Sequence, residues 1–306
     1  MKTNQKMIAN ALLNSVPSDT MAYENHDDVI AIDAGTGFVK CVSAHMRASF
    51  PSVFGTRRMS RWEDPKEGTV EAVGYEAFKM RAYPDAVLVR AVLEGRVADE
   101  HAFAVIIREV APRLGCKDIL GSSTVIMGLP YGAAAQKREL ERLVQRTLKP
   151  SRALVIPQAV GTLVAEGART GIVVSIGQGT TEIVLFEELR YVSGVSVAQA
   201  CDYLYDGYAY LEHDTNRPEK RRLDNLAAIV SNELAVFKTK LVRDYTVYLS
   251  GGGVLVEGLC HALQERIGGT LKVASDPVYS NAQGLYKLGQ MILSSTEGRQ
   301  EISHVP

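Results

Sequence analysis

Cysteine is scarce in this sequence, and the spacing of the cysteines excludes the common cysteine-based sites. The 306 residues contain four cysteines, and no two of them form a C-x-x-C pair. Structural zinc sites and disulfide frameworks depend on such pairs or on a dense set of cysteines. We therefore expect neither kind of site, and the pattern favours a protein of the reducing cytoplasm.

Long apolar runs and an excess of charge are also lacking. No run approaches the roughly 18 residues that a membrane-spanning helix needs, and the N-terminus lacks an apolar core followed by a small-residue cleavage site. The formal net charge is -1, whereas binding to a nucleic-acid backbone needs clustered, unneutralised Lys and Arg. We expect a cytoplasmic protein that does not bind nucleic acid directly.

Residues 1–26 are polar and carry only a weak helical stripe of apolar residues, which ends before Pro17. A stripe of this kind can lie on a membrane surface, but its small apolar face favours an N-terminal extension that frays or packs on the protein. The members of the stripe are Met7, Ile8, Ala11 and Leu12.

The remaining chain alternates strand-like and helix-like segments, which is typical of an α/β fold. At roughly 150 residues per domain, the length predicts two domains. We place the first domain at 27–156, with 277–306 returning to it, and the second at 157–276. In the second domain, Val197–His213 and Leu223–Lys240 are predicted to be helices.

Two segments of the sequence open in the same way. Each has an apolar strand, a short turn containing two glycines, and a second strand. The first is I-A-I-D-A-G-T-G-F-V at 30–39, and the second is V-V-S-I-G-Q-G-T-T-E at 173–182. This repetition predicts a duplicated α/β unit whose two halves face each other across a cleft, where ligands commonly bind.

Glycine turns of this kind suit phosphate binding, because without a Cβ the backbone can approach an anion and point successive N–H groups at it. Either turn alone could be purely structural, whereas two facing turns could hold a polyphosphate from both sides. A third glycine segment follows an apolar strand and precedes a helix, so it could lie against a nucleoside. The candidate ligand-binding residues are Gly35, Thr36, Gly37, Lys40, Gly177, Gln178, Gly179, Thr180, Thr181, Gly251, Gly252 and Gly253.

The order of these motifs along nearly the whole chain resembles the superfamily of actin, hexokinase and the heat-shock chaperones. Residues 73–77 and 92–99 are similar to the bacterial actin MreB, while 50–52 and 276–284 resemble ParM-type and archaeal actin-like proteins. The resemblance implies an actin-type fold of two α/β domains around a nucleotide cleft, with ATP or GTP and Mg²⁺ as ligands. It also implies polymerisation into cytoskeletal or DNA-segregating filaments, with an adaptor or cargo protein as a further partner.

The same resemblance implies roles for individual residues. Asp33 corresponds to the carboxylate that orients hydrated Mg²⁺, and Gln158 to the residue that positions the attacking water; these are the two candidate catalytic residues. Lys40 stands where relatives place a basic residue against phosphate. A neutral amide is a weak base, so hydrolysis is expected to be slow and to depend on positioning.

Two departures from the family pattern bear on function. Ser175 stands where the family usually has a second aspartate, and Glu182, on the far strand of that hairpin, is expected to be poorly placed to replace it. The stretch between Thr181 and Leu249 is short, which predicts a reduced outer subdomain in the second half. Both departures keep open a second hypothesis, a non-polymerising ATPase switch that acts on a partner. A small-molecule kinase is a third, less favoured because no further carboxylate motif supplies its base.

Overall fold

A computed structural model describes residues 29–59, 68–116, 121–205, 208, 211 and 218–302. The predicted N-terminal extension and its apolar stripe lie outside these residues. Within the described part, none of the helices combines the length and the apolar character that crossing a bilayer requires.

The described part of the chain contains both strands and helices, with helices between most groups of strands. The strands are β1 Val29–Ala34, β2 Phe38–Val42, β3 Arg47–Pro51, β4 Val53–Arg58, β5 Thr69–Val73, β6 Val87–Arg90, β7 Val92–Leu93, β8 Arg96–Val97, β9 Thr124–Leu129, β10 Arg152–Pro157, β11 Gly171–Ile176, β12 Thr181–Glu187, β13 Arg190–Val197, β14 Val247–Ser250 and β15 Leu271–Val273. The α-helices are α1 Tyr75–Lys79, α2 Glu100–Arg108, α3 Val110–Arg113, α4 Lys137–Leu148, α5 Ala159–Ala165, α6 Lys220–Thr239, α7 Leu259–Arg266 and α8 Ser280–Ile302. The 3₁₀ helices are Met80–Ala82, Tyr131–Gln136, Cys201–Tyr203 and Gly252–Leu255.

Two five-stranded sheets have the same topology. The first has the order β3-β2-β1-β9-β10 and the second the order β13-β12-β11-β14-β15. In both, the first two pairings are antiparallel and the last two are parallel. The predicted duplication is confirmed. Strands β1, β9 and β11 are buried along their whole length, as expected for strands covered on both faces.

The two halves differ in what is inserted beyond the sheets. The first half carries a three-stranded sheet, β5-β4-β6, and the short hairpin β7-β8. In the second half, the described residues between β13 and α6 contain no strand, and Cys201–Tyr203 form a 3₁₀ helix. The predicted reduction of the outer subdomain agrees with this difference. The predicted helix at Val197–His213 is wrong in its described part, because Val197 ends a strand and the 3₁₀ helix follows.

Helices α5 and α8 cross between the two sheets, and their side chains share one buried cluster with residues of β1, β9, β11 and β12. A Cβ added to Gly284 would lie 1.7 Å from the carbonyl oxygen of Gly161, so the two backbones are in direct contact at the crossing. Beside it, the Thr162 hydroxyl lies 3.0 Å from Ser280 Oγ and donates to Asn281 Oδ1 at 2.8 Å. The crossing fixes the two sheets side by side, while the domain boundaries proposed at 156 and 276 stay a prediction.

Candidate functional site

A cleft of about 660 Å³ lies between the two halves, at the ends of β1 and β11. Its walls include all but one of the residues predicted to bind the ligand or to take part in catalysis. These are Asp33, Gly35, Thr36, Gly37, Lys40, Gln158, Gly177, Gln178, Gly179, Thr180, Gly251, Gly252 and Gly253. The exception is Thr181, which is fully buried and donates its hydroxyl to the Gln199 carbonyl at 2.8 Å.

The first glycine turn joins β1 to β2 and is closed by one backbone hydrogen bond, from Gly35 N–H to the Phe38 carbonyl at 3.0 Å. The register of the two strands places Lys40 opposite Asp33. Lys40 Nζ lies 3.3 Å from Asp33 Oδ2, and the carboxylate is almost completely buried. The lysine side chain therefore points into the cleft, beside the carboxylate that was predicted to orient a metal ion.

The second glycine turn joins β11 to β12 and repeats this geometry, with Gly177 N–H donating to the Thr180 carbonyl at 2.9 Å. Ser175 takes the position that Asp33 has in the first turn, and Glu182 lies opposite Ser175 as Lys40 lies opposite Asp33.

The two turns meet across the cleft. A Cβ added to Gly179 would come within 2.6 Å of Thr36 Oγ1. Glycine at 179 therefore lets the backbone of one turn lie against the side chain of the other.

The third glycine segment lies against the strand that leads into the second turn. Gly251 has a φ of 88°, and a Cβ there would lie 2.3 Å from the Ile176 carbonyl oxygen. A Cβ at Gly253 would likewise meet the Ile176 side chain. A 3₁₀ helix, Gly252–Leu255, begins within this segment, whereas an α-helix was predicted to follow the glycines; α7 begins only at Leu259. Leu255, Val256 and Val278 add apolar surface to this end of the cleft.

Gln158, which lines the cleft, forms a buried pair with Glu182. Gln158 immediately precedes α5, and its Nε2 donates to Glu182 Oε2 at 3.0 Å. The backbone N–H of Tyr131 donates to Oε1 of the same carboxyl group. Burial raises the pKa of Glu182 to about 7, while the hydrogen bonds from Tyr131 and Gln158 act in the opposite direction.

Sequence reasoning missed the contact between Glu182 and Gln158. The pairing of Ser175 with Glu182 across β11 and β12 puts the Glu182 side chain on the face of the sheet that meets Gln158. The signal in the sequence is the even spacing between Glu182 and the buried Val184 and Phe186, since alternate residues of a strand share a face. A single sequence does not indicate that the face of β12 carrying Glu182 would lie against Gln158.

Asp202 connects the second glycine turn to the outer sheet of the first half. Gln178 Nε2 donates to its Oδ1 and Arg90 Nη1, on β6, donates to its Oδ2, both at 2.8 Å. Next to this bridge, the Tyr208 ring packs 6.2 Å, between centroids, from that of Phe78 on α1. These contacts link the two halves at a second place, besides the helix crossing.

The residues present fit a polyphosphate better than a metal ion bound by protein alone. Among the described residues, no group of three or more His, Cys, Asp or Glu side chains is placed to hold a metal. Asp33 does offer one carboxylate beside the two glycine turns. That donor set suits Mg²⁺, which is usually bound through one or two carboxylates, phosphate oxygens and water.

Known structures of MreB5 and MamK have the same architecture as this chain. The structure of MreB5 of Spiroplasma citri bound to AMPPNP superposes with a TM-score of 0.69 at 16% identity, covering 90% of this chain and 99% of that one. The chain has the actin fold. A MamK double helical filament matches with a TM-score of 0.69 at 18% identity, covering 86% of this chain and 98% of MamK. The expected actin-type duplicated fold is thereby confirmed.

Sequence similarity to a curated protein is confined to part of the chain. Actin-related protein 2 of Acanthamoeba castellanii is 34% identical over 169 residues, which is 51% of this chain and 41% of that protein. The chain therefore matches less than half the length of this curated relative. No protein-family model matches the chain.

Proposed function

We propose that this actin-like chain binds a nucleoside triphosphate, ATP or GTP, with Mg²⁺ in the cleft and hydrolyses it slowly. The observation that carries the proposal is the meeting of the two glycine turns beside Asp33 and Gln158. Structures of the same fold were determined with nucleotide: MreB5 bound to AMPPNP and to ADP, and a non-polymerising MamK mutant bound to AMPPNP.

Phosphate binding is assigned to the turns and to Lys40. Backbone N–H groups and the Thr36 and Thr180 hydroxyls are donors for phosphate oxygens, and the Lys40 ammonium adds positive charge. Bound Mg²⁺ would supply further positive charge to the phosphates. Asp33 would hold the metal, and the third glycine segment would face the nucleoside.

Hydrolysis requires a water oxygen to bond to the γ-phosphorus while the bond from that phosphorus to the bridging oxygen breaks. The diphosphate leaves with the electron pair, and the proton of the water passes to the phosphate product. Gln158 orients the water but is too weak a base to remove its proton, so the reaction depends on positioning. Ser175 contributes no carboxylate where a second one would assist, which also predicts slow turnover.

We further propose that nucleotide binding closes the cleft and that closed protomers stack head to tail into a filament, to which an adaptor or cargo protein binds. Head-to-tail contacts that do not close into a ring generate helical filaments. The MamK structure that matches this chain is itself a double helical filament.

A non-polymerising switch is the second candidate, favoured by the small insertion between β13 and α6. In the first half, the corresponding space holds a three-stranded sheet. A smaller outer subdomain offers less surface to a neighbouring protomer. A different protein could still distinguish the open from the closed cleft by binding one of them more tightly.

Substitution of Asp33 by Asn tests the nucleotide site. The variant should lose the gain in affinity that Mg²⁺ gives to ATP or GTP, because it removes the one negative charge assigned to the metal while keeping the side-chain shape. Binding is measured with a fluorescent nucleotide in the presence of Mg²⁺ and of chelator. The control Asp85→Asn, at an exposed loop position, should behave as the wild type. If nucleotide affinity in Asp33→Asn still rises with Mg²⁺ as in the wild type, Asp33 does not hold the metal and has only a structural role in the turn.

Light scattering, pelleting and electron microscopy of the purified protein separate the two candidates. We expect polymer with ATP, GTP or a non-hydrolysable analogue. Nucleotide binding without polymer under any of these conditions would exclude the filament and leave the switch.

A further inference from the structure

In the pair formed by Glu182 and Gln158, the carboxyl group accepts two hydrogen bonds while one end of the amide has no partner among the described residues. An ionised carboxylate only accepts, and Glu182 accepts twice, from the Tyr131 backbone N–H and from Gln158 Nε2. When Glu182 is ionised, this contact fixes which end of the Gln158 amide faces it, since the carbonyl end would be repelled there.

The other end of the amide is left without a partner. Gln158 is 9% exposed and lines the cleft. Its Oε1 is buried, and none of the described residues donates a hydrogen bond to it. An unpaired buried carbonyl costs free energy, on the order of 1–3 kcal/mol, so its persistence beside a ligand cleft points to a donor that arrives with the ligand.

We propose that Glu182 is a positioning residue that holds the Gln158 amide with its carbonyl oxygen towards the cleft, where this oxygen accepts a hydrogen bond from the attacking water. The inference rests on the proposed hydrolysis. A carbonyl that accepts an O–H of the water leaves a lone pair of that water free to attack phosphorus. The reversed amide would donate its NH₂ to that lone pair and block the attack.

The hydrogen-bond donors around Glu182 explain why a carboxylate, rather than an amide, is needed at this buried position. Burial is the main cause that raises the pKa of Glu182 and Asp33 adds to it, while hydrogen bonds from Tyr131, Gln158 and the Gly132 backbone lower it. Lys40 faces Asp33 from the neighbouring strand. A glutamine at 182 would avoid the cost of burying a charge, but it has a single acceptor end for two donors. Only the carboxylate satisfies both Tyr131 N–H and Gln158 NH₂.

The test is Glu182→Gln in the full chain. The Tyr131 N–H is fixed in the backbone, so it takes the new carbonyl, and the new NH₂ then faces Gln158. Gln158 has to reverse its amide to accept this hydrogen bond. We expect kcat for phosphate release to fall at least roughly tenfold, while the affinity for nucleotide with Mg²⁺ changes less than about twofold because the phosphate turns are untouched.

A double-mutant cycle separates positioning from a structural role. If Glu182 acts through Gln158, Glu182→Gln should have no further effect on kcat in a Gln158→Ala background. An equal loss of kcat in both backgrounds, or no loss in the single variant, would overturn the proposal.

The side-chain amide resonance of Gln158 gives a readout that does not depend on turnover. It is assigned in ¹⁵N-glutamine-labelled protein by its disappearance in Gln158→Ala, and Glu182→Gln should shift it. A wild type without phosphate release refutes the proposed hydrolysis, whereas an unmoved Gln158 resonance refutes the coupling between the two side chains.

Discussion

At the residue scale, the buried carboxyl group of Glu182 links the protein's stability to pH. Its pKa is raised from 4.5 to about 7, mainly by burial. Between these values the folded protein keeps a proton that the unfolded chain releases, so the free energy of unfolding falls as pH rises through this range. The stabilisation is complete below about pH 4.5 and lost above pH 7.

We therefore predict that the nucleotide-free protein loses up to roughly 3 kcal/mol of stability from this group between pH 4.5 and pH 8. Urea unfolding of the wild type and of Glu182→Gln across this range measures the difference. The variant has no ionisable group at 182, so its stability should vary less with pH. Parallel curves for the two proteins would show that Glu182 has an ordinary pKa.

At the scale of the elements, the crossing of α5 and α8 depends on two residues without side chains. We predict that Gly284→Ala destabilises the protein by about 1–3 kcal/mol or more, because the new methyl group overlaps the Gly161 carbonyl and the helices must separate. Thermal or urea unfolding measures the loss. Gly268→Ala is the control, since a Cβ there meets nothing within 4 Å. Equal stability of the two variants would contradict a tight crossing.

Some of the strands and helices could be predicted from the sequence alone, and others could not. Strands β1 and β11 and their turns were predictable, because runs of buried Val and Ile end at closely spaced glycines. Strand β5 was not predicted. It is short and half-exposed, and its extended structure depends on pairing with β4. Val197–His213 was predicted as a helix, but in its described part Cys201 and Leu204 follow the end of β13 and pack in a buried cluster with residues of β11, β14 and α6.

All of the predicted site residues except Thr181 line one cleft, and they could be predicted because the glycine turns carry strong local signals. The contact between Glu182 and Gln158 was not predictable, since it joins residues 24 positions apart, one directly after β10 of the first sheet and one on β12 of the second sheet. Their meeting depends on how the sheets sit relative to each other, which local propensity does not encode.

At the scale of the whole molecule, Asp202 is expected to control how long a nucleotide stays bound. It joins the second glycine turn to the outer sheet of the first half. Asp202→Ala should speed nucleotide dissociation several-fold by easing separation of the halves, with a small effect on stability, of order 0–1 kcal/mol, because the pair is partly exposed.

Stopped-flow release of a fluorescent nucleotide measures this rate. Glu100→Ala is the control, because it removes the acid of an ion pair with Arg146 that lies within the first half. If both variants release nucleotide at the wild-type rate, the Asp202 bridge does not hold the cleft closed.

The two hairpins that form the cleft have opposite electrical character at equivalent positions. Lys40 in the first corresponds to Glu182 in the second, and Asp33 corresponds to Ser175. If the two hairpins were identical, a bound chain of phosphates would have the same surroundings in either orientation. If the proposed nucleotide binds here, the lysine of the first hairpin and the glutamate of the second would give its phosphates different surroundings in the two directions, so one orientation would be favoured.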